Sequence, residues 1–262
     1  MHPRVRLALI DLDGTLYTGS RAVDGAAVAV QRIRDLGLAV MFTTNTDSIS
    51  PQAVADRLTG FGIECTPGDV LTPLVLAASL LDEHPASRAL VVASPGARAA
   101  LANRVAGEGD IVTHVVVADP SYGATYAELD RAFQAVRTGA RLVATQMGRW
   151  VRRDDGDHLD TGGWVRLLEY ATERDALVLG KPSPEFFRLA LSTAGATPAE
   201  TVVVGDDRAS DIAGGRSAGC HTVLVLTGKG TVSRGPEAEI VAGSIADVPD
   251  VLVNNWRPTG SR

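Results

Sequence analysis

The stretch Val5-Arg6-Leu7-Ala8-Leu9-Ile10-Asp11-Leu12-Asp13-Gly14-Thr15 decides the fold. A short apolar run breaks at two acids two positions apart, and a glycine follows. The run over 5–10 has the length and make-up of a strand buried on both faces, as strands of parallel sheets are. In extended backbone, residues two apart point the same way, so Asp11 and Asp13 share one side just beyond the strand.

The same pattern repeats along the chain. Ala26, Ala27, Val30, Ile33 and Leu36 recur at helical spacing within 24–36, and Gly37 is a stop signal. A second strand reads over 38–43. Ser50-Pro51 then resembles an N-cap followed by proline at the first helical position, opening a helix to about 58. Further strands are expected at 89–93, 115–118, 141–144, 177–179, 201–204 and 222–226. Helical patterns near 96–106, 125–138, 163–174, 184–194 and 208–218 separate most of them. Strands alternating with helices mean parallel sheets joined by right-handed crossovers, so the chain is an α/β protein.

Composition narrows the class. The 262 residues suit one large or two modest domains, and 45% hydrophobic residues supply a core. With 25 basic and 31 acidic residues the net charge is −6. That balance argues against a nucleic-acid binder or a protein held to an anionic membrane. The apolar run 7–10 is too short for a signal peptide, and 70–81, which contains Pro73, falls short of the roughly 20 residues a membrane span needs. Cys65 and Cys220, unclustered, read as reduced thiols of a soluble cytoplasmic protein.

Four strand ends carry the chemistry: Asp11-Leu12-Asp13-Gly14-Thr15, Thr44-Asn45, Gly180-Lys181-Pro182 and Gly205-Asp206-Asp207 with Asp211 beyond. If the four strands share one open parallel sheet, these residues converge at its carboxyl edge, where such folds bind ligands. Mg²⁺ takes oxygen ligands from a few carboxylates, here Asp11, Asp206 and Asp211. Asp11, kept ionised, is then available as a nucleophile, and Asp13, protonated, as the acid toward a leaving oxygen. Lys181 stabilises the nucleophile and the transferring group, and the Thr44 hydroxyl with nearby backbone N–H groups holds phosphate oxygens. This is a phosphoryl-transfer site able to form an aspartyl-phosphate. Its expected phosphate contacts are Asp11, Gly14, Thr44, Asn45 and Lys181. Gly180-Lys181 is no Walker A loop, since Pro182 replaces the hydroxyl residue, and Gly228-Lys229-Gly230 lacks the third glycine and the helix of a dinucleotide fingerprint.

These residues resemble the haloacid dehalogenase superfamily. Asp11-Leu12-Asp13-Gly14-Thr15-Leu16 looks like its first motif, Thr44 its second, Lys181 its third, and Gly205-Asp206-Asp207-x-x-x-Asp211 its fourth. The resemblance implies a Rossmann-like parallel-sheet core with helices on both faces. By it, Asp11 is the nucleophile and a metal ligand. Asp13 is the acid/base and lends its carbonyl to the metal; Asp206 and Asp211 complete the Mg²⁺ site. The second acid of the pair is a mark of the superfamily's phosphatases and phosphomutases and is missing from its dehalogenases. Positions 45–180 between the second and third motifs exceed what two strand–helix units need. The excess is read as an inserted, smaller α/β cap over 82–176, the core being 1–81 and 177–262.

That arrangement is similar to the branch of 4-nitrophenyl, pyridoxal and phosphoglycolate phosphatases, and 161–184 to the phospholysine phosphohistidine inorganic pyrophosphate phosphatase group. Thr46 stands where many relatives have a second asparagine. The expectation is a Mg²⁺-dependent phosphatase of a small phosphorylated metabolite. A phosphomutase or phosphotransferase of the same chemistry, or a non-catalytic regulatory module, remains the alternative. Arg149, Trp150, Arg152, Arg153 and Asp160 are candidates for a substrate-facing cap surface, a solvated β-hairpin being the other reading of that stretch. Relatives of this kind often pair through the cap, which makes a homodimer an expectation as well.

Overall fold

The computed structural model describes residues 4–119, 123–153, 156–229, 232 and 234–258, with backbone alone at 152, 153, 257 and 258. Asp154, Asp155 and the tail 259–262 lie outside the described residues. The chain forms two compact units. One comprises Met1–Thr44, Pro51–Leu71 and Lys181–Arg262; the other comprises Asn45–Ser50 and Thr72–Gly180.

The first unit is built on a six-stranded sheet. Its order is Ile240–Ala242, His221–Val225, Thr201–Gly205, Leu7–Asp11, Ala39–Thr43, Val70–Leu71, and every pairing is parallel. All of Leu7–Asp11 and all of Thr201–Gly205 are buried. That explains why both read as unbroken apolar runs: a parallel strand has covered faces on both sides. Each of Leu7, Leu9 and Ile10 contributes roughly 1.5–3 kcal/mol by leaving water. Helices flank the sheet in two packed groups, Ala26–Asp35 against Val248–Asn255 and Pro184–Ala194 against Ala213–Ser217. Register matters most for the site. Asp11 lies opposite Thr43, and Ile10 opposite both Phe42 and Val204. The carboxyl ends of the three central strands are therefore level to within a residue.

The second unit has its own four-stranded parallel sheet, in the order Leu177–Val178, Arg141–Ala144, His114–Ala118, Ala89–Ala93. Val92, Val115, Val117, Leu142, Val165 and Leu168 form its core, with Trp164 packed against it. Helix Tyr126–Arg137 begins with a capping box between Thr125 and Glu128. Trp150–Arg153 and Gly156–Leu159 pair as an antiparallel hairpin.

The mixed α/β architecture matches the sequence reading, with three differences. The four motif-bearing strands do not share a sheet: Leu177–Val178 pairs with Arg141–Ala144 in the second unit, so Lys181 arrives from the end of the other sheet. Two residues of strand carry no sequence mark of which neighbour they pair with. The apolar run 70–81 is a short strand, Val70–Leu71, followed by helix Pro73–Asp82, which Thr72 caps by accepting the Val75 N–H. The helix expected at 208–218 opens with a wide turn over Arg208–Ile212, in which the Ile212 N–H reaches the Asp207 carbonyl at 3.2 Å. Among the described residues no helix is long and apolar enough to cross a membrane.

Candidate active site

The carboxyl edge of the six-stranded sheet gathers the acids. Asp11 ends its strand; Asp206 directly follows Thr201–Gly205; Asp211 sits in the wide turn just beyond. Ligand oxygens of these three buried residues all lie within 4.8 Å of one another. The Lys181 ammonium lies among them, 2.6 Å from Asp11 Oδ1 and 2.6 Å from Asp211 Oδ1, and 3.4 Å from the Thr43 carbonyl. Each acid is also held by a donor other than Lys181. Thr15 Oγ1 donates to Asp11 Oδ2 at 3.1 Å, the Asp207 N–H to Asp211 Oδ2 at 3.1 Å, and the Lys229 N–H to Asp206 Oδ2 at 2.6 Å.

Burial, reinforced by the charge of Asp11, pushes the carboxyls of Asp206 and Asp211 well above the ordinary range, although Lys181 pulls Asp211 back. For Lys181 burial works against the ammonium, but the charges of Asp11 and Asp211 outweigh it and hold the group above its usual value. Burial and the Asp11 carboxylate likewise raise Asp13, which the Gly19 N–H and the charges of Arg57 and Lys229 oppose in part. Three carboxylates against one lysine leave this pocket short of positive charge. An all-oxygen donor set of that spacing fits a hard divalent cation such as Mg²⁺.

Two glycines shape the Asp206 ligand. At Gly14, φ is +91° and a Cβ would sit 2.2 Å from Asp206 Oδ2; at Gly228, φ is +56° and a Cβ would sit 2.3 Å from that same oxygen. Only glycine permits both the left-handed backbone and the approach. Gly228→Ala is therefore expected to displace Asp206, lowering turnover about 100-fold and raising the Mg²⁺ requirement at least several-fold. Gly195→Ala is the control, since its φ is +59° with nothing within 4 Å. Equal Mg²⁺ titration curves for the two variants would refute the contact.

Of the residues expected from sequence, Asp11 and Asp211 meet Lys181 directly, and Asp206 lies within 4.8 Å of both acids. Asp13 stands beside them, more exposed, and Gly14 packs on Asp206. Thr44 is buried one residue beyond its strand, its N–H donating to the Leu71 carbonyl at 3.1 Å. Asn45 belongs to the second unit, as do Arg149 and Trp150; Trp150 is 54% exposed, and the Arg152 side chain lies outside the described residues. Thr15, Gly228 and Lys229 were not picked out from sequence. The signal was present: Gly228-Lys229 follows one more parallel strand, His221–Val225, at the same edge.

Comparison with known proteins agrees with this geometry. Residues 8–104 match the haloacid dehalogenase-like hydrolase family, and residues 178–251 the HAD-hydrolase-like family. The chain is 34% identical over 260 residues to the phospholysine phosphohistidine inorganic pyrophosphate phosphatase of Xenopus laevis, covering 95% of each chain. It is 34% identical to the sugar-phosphatase AraL of Bacillus subtilis, covering 84% of this chain and 82% of that one. Among solved structures, the p-nitrophenyl phosphatase from Archaeoglobus fulgidus superposes with a TM-score of 0.88 at 26% identity, over 95% of this chain and 100% of that one. The chain belongs to the haloacid dehalogenase-like hydrolases. It is a phosphatase of that family, an enzyme that hydrolyses phosphoric esters.

Proposed function

We propose that this phosphatase is Mg²⁺-dependent and hydrolyses a small phosphorylated metabolite through an aspartyl-phosphate on Asp11. The observation that carries the reading is the buried cluster in which Lys181 bridges Asp11 and Asp211 while Asp206 faces them across a few ångströms. Asp11, Asp206 and Asp211, with the Asp13 carbonyl, would hold the ion, which supplies charge to the phosphoryl oxygens. Asp11 attacks phosphorus, and the ester oxygen leaves with a proton from Asp13. In the second half-reaction Asp13 takes a proton from water as that water attacks the phosphorus, releasing inorganic phosphate and restoring the Asp11 carboxylate. Lys181, 2.6 Å from Asp11 Oδ1, steadies the nucleophile and offsets the charge of the phosphoryl group. The Thr44 hydroxyl, Gly14 and Asn45 hold its oxygens.

Residues 82–176 serve as the cap, the substrate-specificity domain that recognises the leaving group. Arg149, Trp150 and Arg152 are its contact candidates, and the cap is also where a second copy would pair. The names of relatives, one a sugar-phosphatase, support a small metabolite as substrate. The two free thiols, Cys65 and Cys220, support a reducing cytoplasm.

The test is phosphate release from 4-nitrophenyl phosphate and a panel of phosphate esters, with Mg²⁺ and then with chelator. Release that needs Mg²⁺ is expected. Asp13→Asn should lower turnover by about 10²–10⁴-fold while Mg²⁺ affinity, read by calorimetry, changes little. Release indifferent to chelator, or an Asp13→Asn enzyme with full turnover, would overturn the scheme.

A further inference from the structure

Outside the catalytic cluster lies a second buried acid, Asp47, three residues beyond Thr44 and inside the second unit. Its Oδ2 accepts three bonds: from Thr145 Oγ1 at 2.6 Å, Thr161 Oγ1 at 2.9 Å and the Asp119 N–H at 3.1 Å. Both threonine side chains belong to fully buried residues. Burial pushes the Asp47 carboxyl up to about 6, and the three donors offset part of that cost. A buried carboxylate is expensive unless donors satisfy it, as they do here.

What it organises follows from where its partners sit. Thr145 directly follows strand Arg141–Ala144, and Thr161 opens helix Thr161–Thr172. Between them runs the excursion 146–160, which carries the hairpin and Arg149, Trp150 and Arg152. The neck of that excursion is closed twice more. Gln146 Nε2 donates to Asp160 Oδ1 at 2.8 Å, and the Gly162 N–H to the Gly148 carbonyl at 2.9 Å. A Cβ on Gly162 would lie 2.6 Å from the Met147 and Gly148 carbonyls, so the neck is packed to contact. The segment holding Asp47 is itself pinned, Ser94 Oγ donating to the Ser48 carbonyl at 3.2 Å. From Asp47 back to Thr44 there are three residues, about 10 Å of chain at most.

We propose that Asp47 is a positioning residue: it fastens both ends of the 146–160 excursion to the segment leaving Thr44, coupling leaving-group recognition to phosphate binding. This rests on the phosphatase reading above and adds the residue that joins the enzyme's two tasks. A small ester, needing little from the excursion, should be indifferent to the clamp. A large one should feel its loss mainly in KM.

The experiment compares wild type, Asp47→Ala, Asp47→Asn, Thr145→Val and Thr161→Val as full-length enzymes. Methyl phosphate and a series of larger alkyl phosphate esters serve as substrates, and circular dichroism checks folding. Asp47→Ala should raise KM for the larger esters about tenfold, with a smaller fall in kcat, and leave methyl phosphate within about twofold. Asp47→Asn should recover most of the loss, since its amide oxygen accepts from the same donors. Each valine variant should give an intermediate rise, and these two carry the test if Asp47→Ala does not fold. Hydrogen exchange of residues 146–160, read without substrate, should quicken about tenfold or more in Asp47→Ala. Equal losses on small and large esters, or unchanged exchange, would overturn the clamp. A wild type inert toward every ester would instead sink the phosphatase reading, and the exchange result then decides the clamp alone.

Discussion

Asp11→Asn should reduce phosphate release by about 10⁴-fold or more, because an amide cannot replace a carboxylate nucleophile. The substitution is nearly isosteric and falls on a residue whose carboxylate is crowded by Asp206 and Asp211 within 4.8 Å. Removing one of three like charges relieves their repulsion, while Lys181 keeps its ion pair with Asp211. The variant is thus expected to fold with unchanged or higher thermal stability, so lost activity cannot be blamed on lost structure. A rapid acid quench during turnover of radiolabelled ester should leave label on wild type and none on the variant. Residual turnover within tenfold of wild type, or equal labelling, would remove Asp11 from the nucleophile's role. Weaker Mg²⁺ binding should accompany the change, since one of the three converging carboxylates is gone.

Lys181→Met should act on activity and stability together. The Lys181 side chain is 2% exposed and that of Asp211 1%, so their contact is a desolvated ion pair. Deleting one partner of such a pair leaves the other charge buried and alone, which costs about 3–5 kcal/mol. For a chain of this size that corresponds to a fall in Tm of roughly 10 °C. Turnover should fall about 10²–10³-fold, because the group that neutralises both nucleophile and phosphoryl oxygens is missing. Saturating Mg²⁺ should recover part of the stability by mass action, and little of the turnover. A methionine variant as stable as wild type without Mg²⁺ would mean that Asp211 is neutral in the native protein. Differential scanning calorimetry with and without the ion, beside steady-state kinetics, separates these outcomes.

Much of this was legible in the amino-acid sequence because the deciding signals are local. A strand buried on both faces must be apolar throughout, so Leu7–Asp11 and Thr201–Gly205 stand out, and the acids Asp11 and Asp206 at their ends break the pattern visibly. What escaped notice depends on partners far along the chain. Leu177–Val178 is too short to carry a pattern, and its sheet is decided by pairing with residues more than thirty positions earlier. Gly228 and Lys229 matter for their contact with Asp206 and the Gly14 turn, which no spacing rule connects. The five-residue step from Asp206 to Asp211 looked like ordinary helix, whereas a wide turn accommodates it. Asp47 was silent for the same reason, since its donors come from Asp119, Thr145 and Thr161.

The chain crosses between its two compact units after Thr44, Ser50, Leu71 and Gly180, so the second unit is assembled from two separate pieces of sequence. Anyone recombining this protein with a relative must therefore treat 45–50 and 72–180 as a single transferable part. Exchanging the long piece alone would confront Asp47 with a foreign set of donors and leave a buried carboxyl without its partners. Selection faces the same constraint: an exchanged domain keeps its clamp only if the hexapeptide 45–50 is inherited with it.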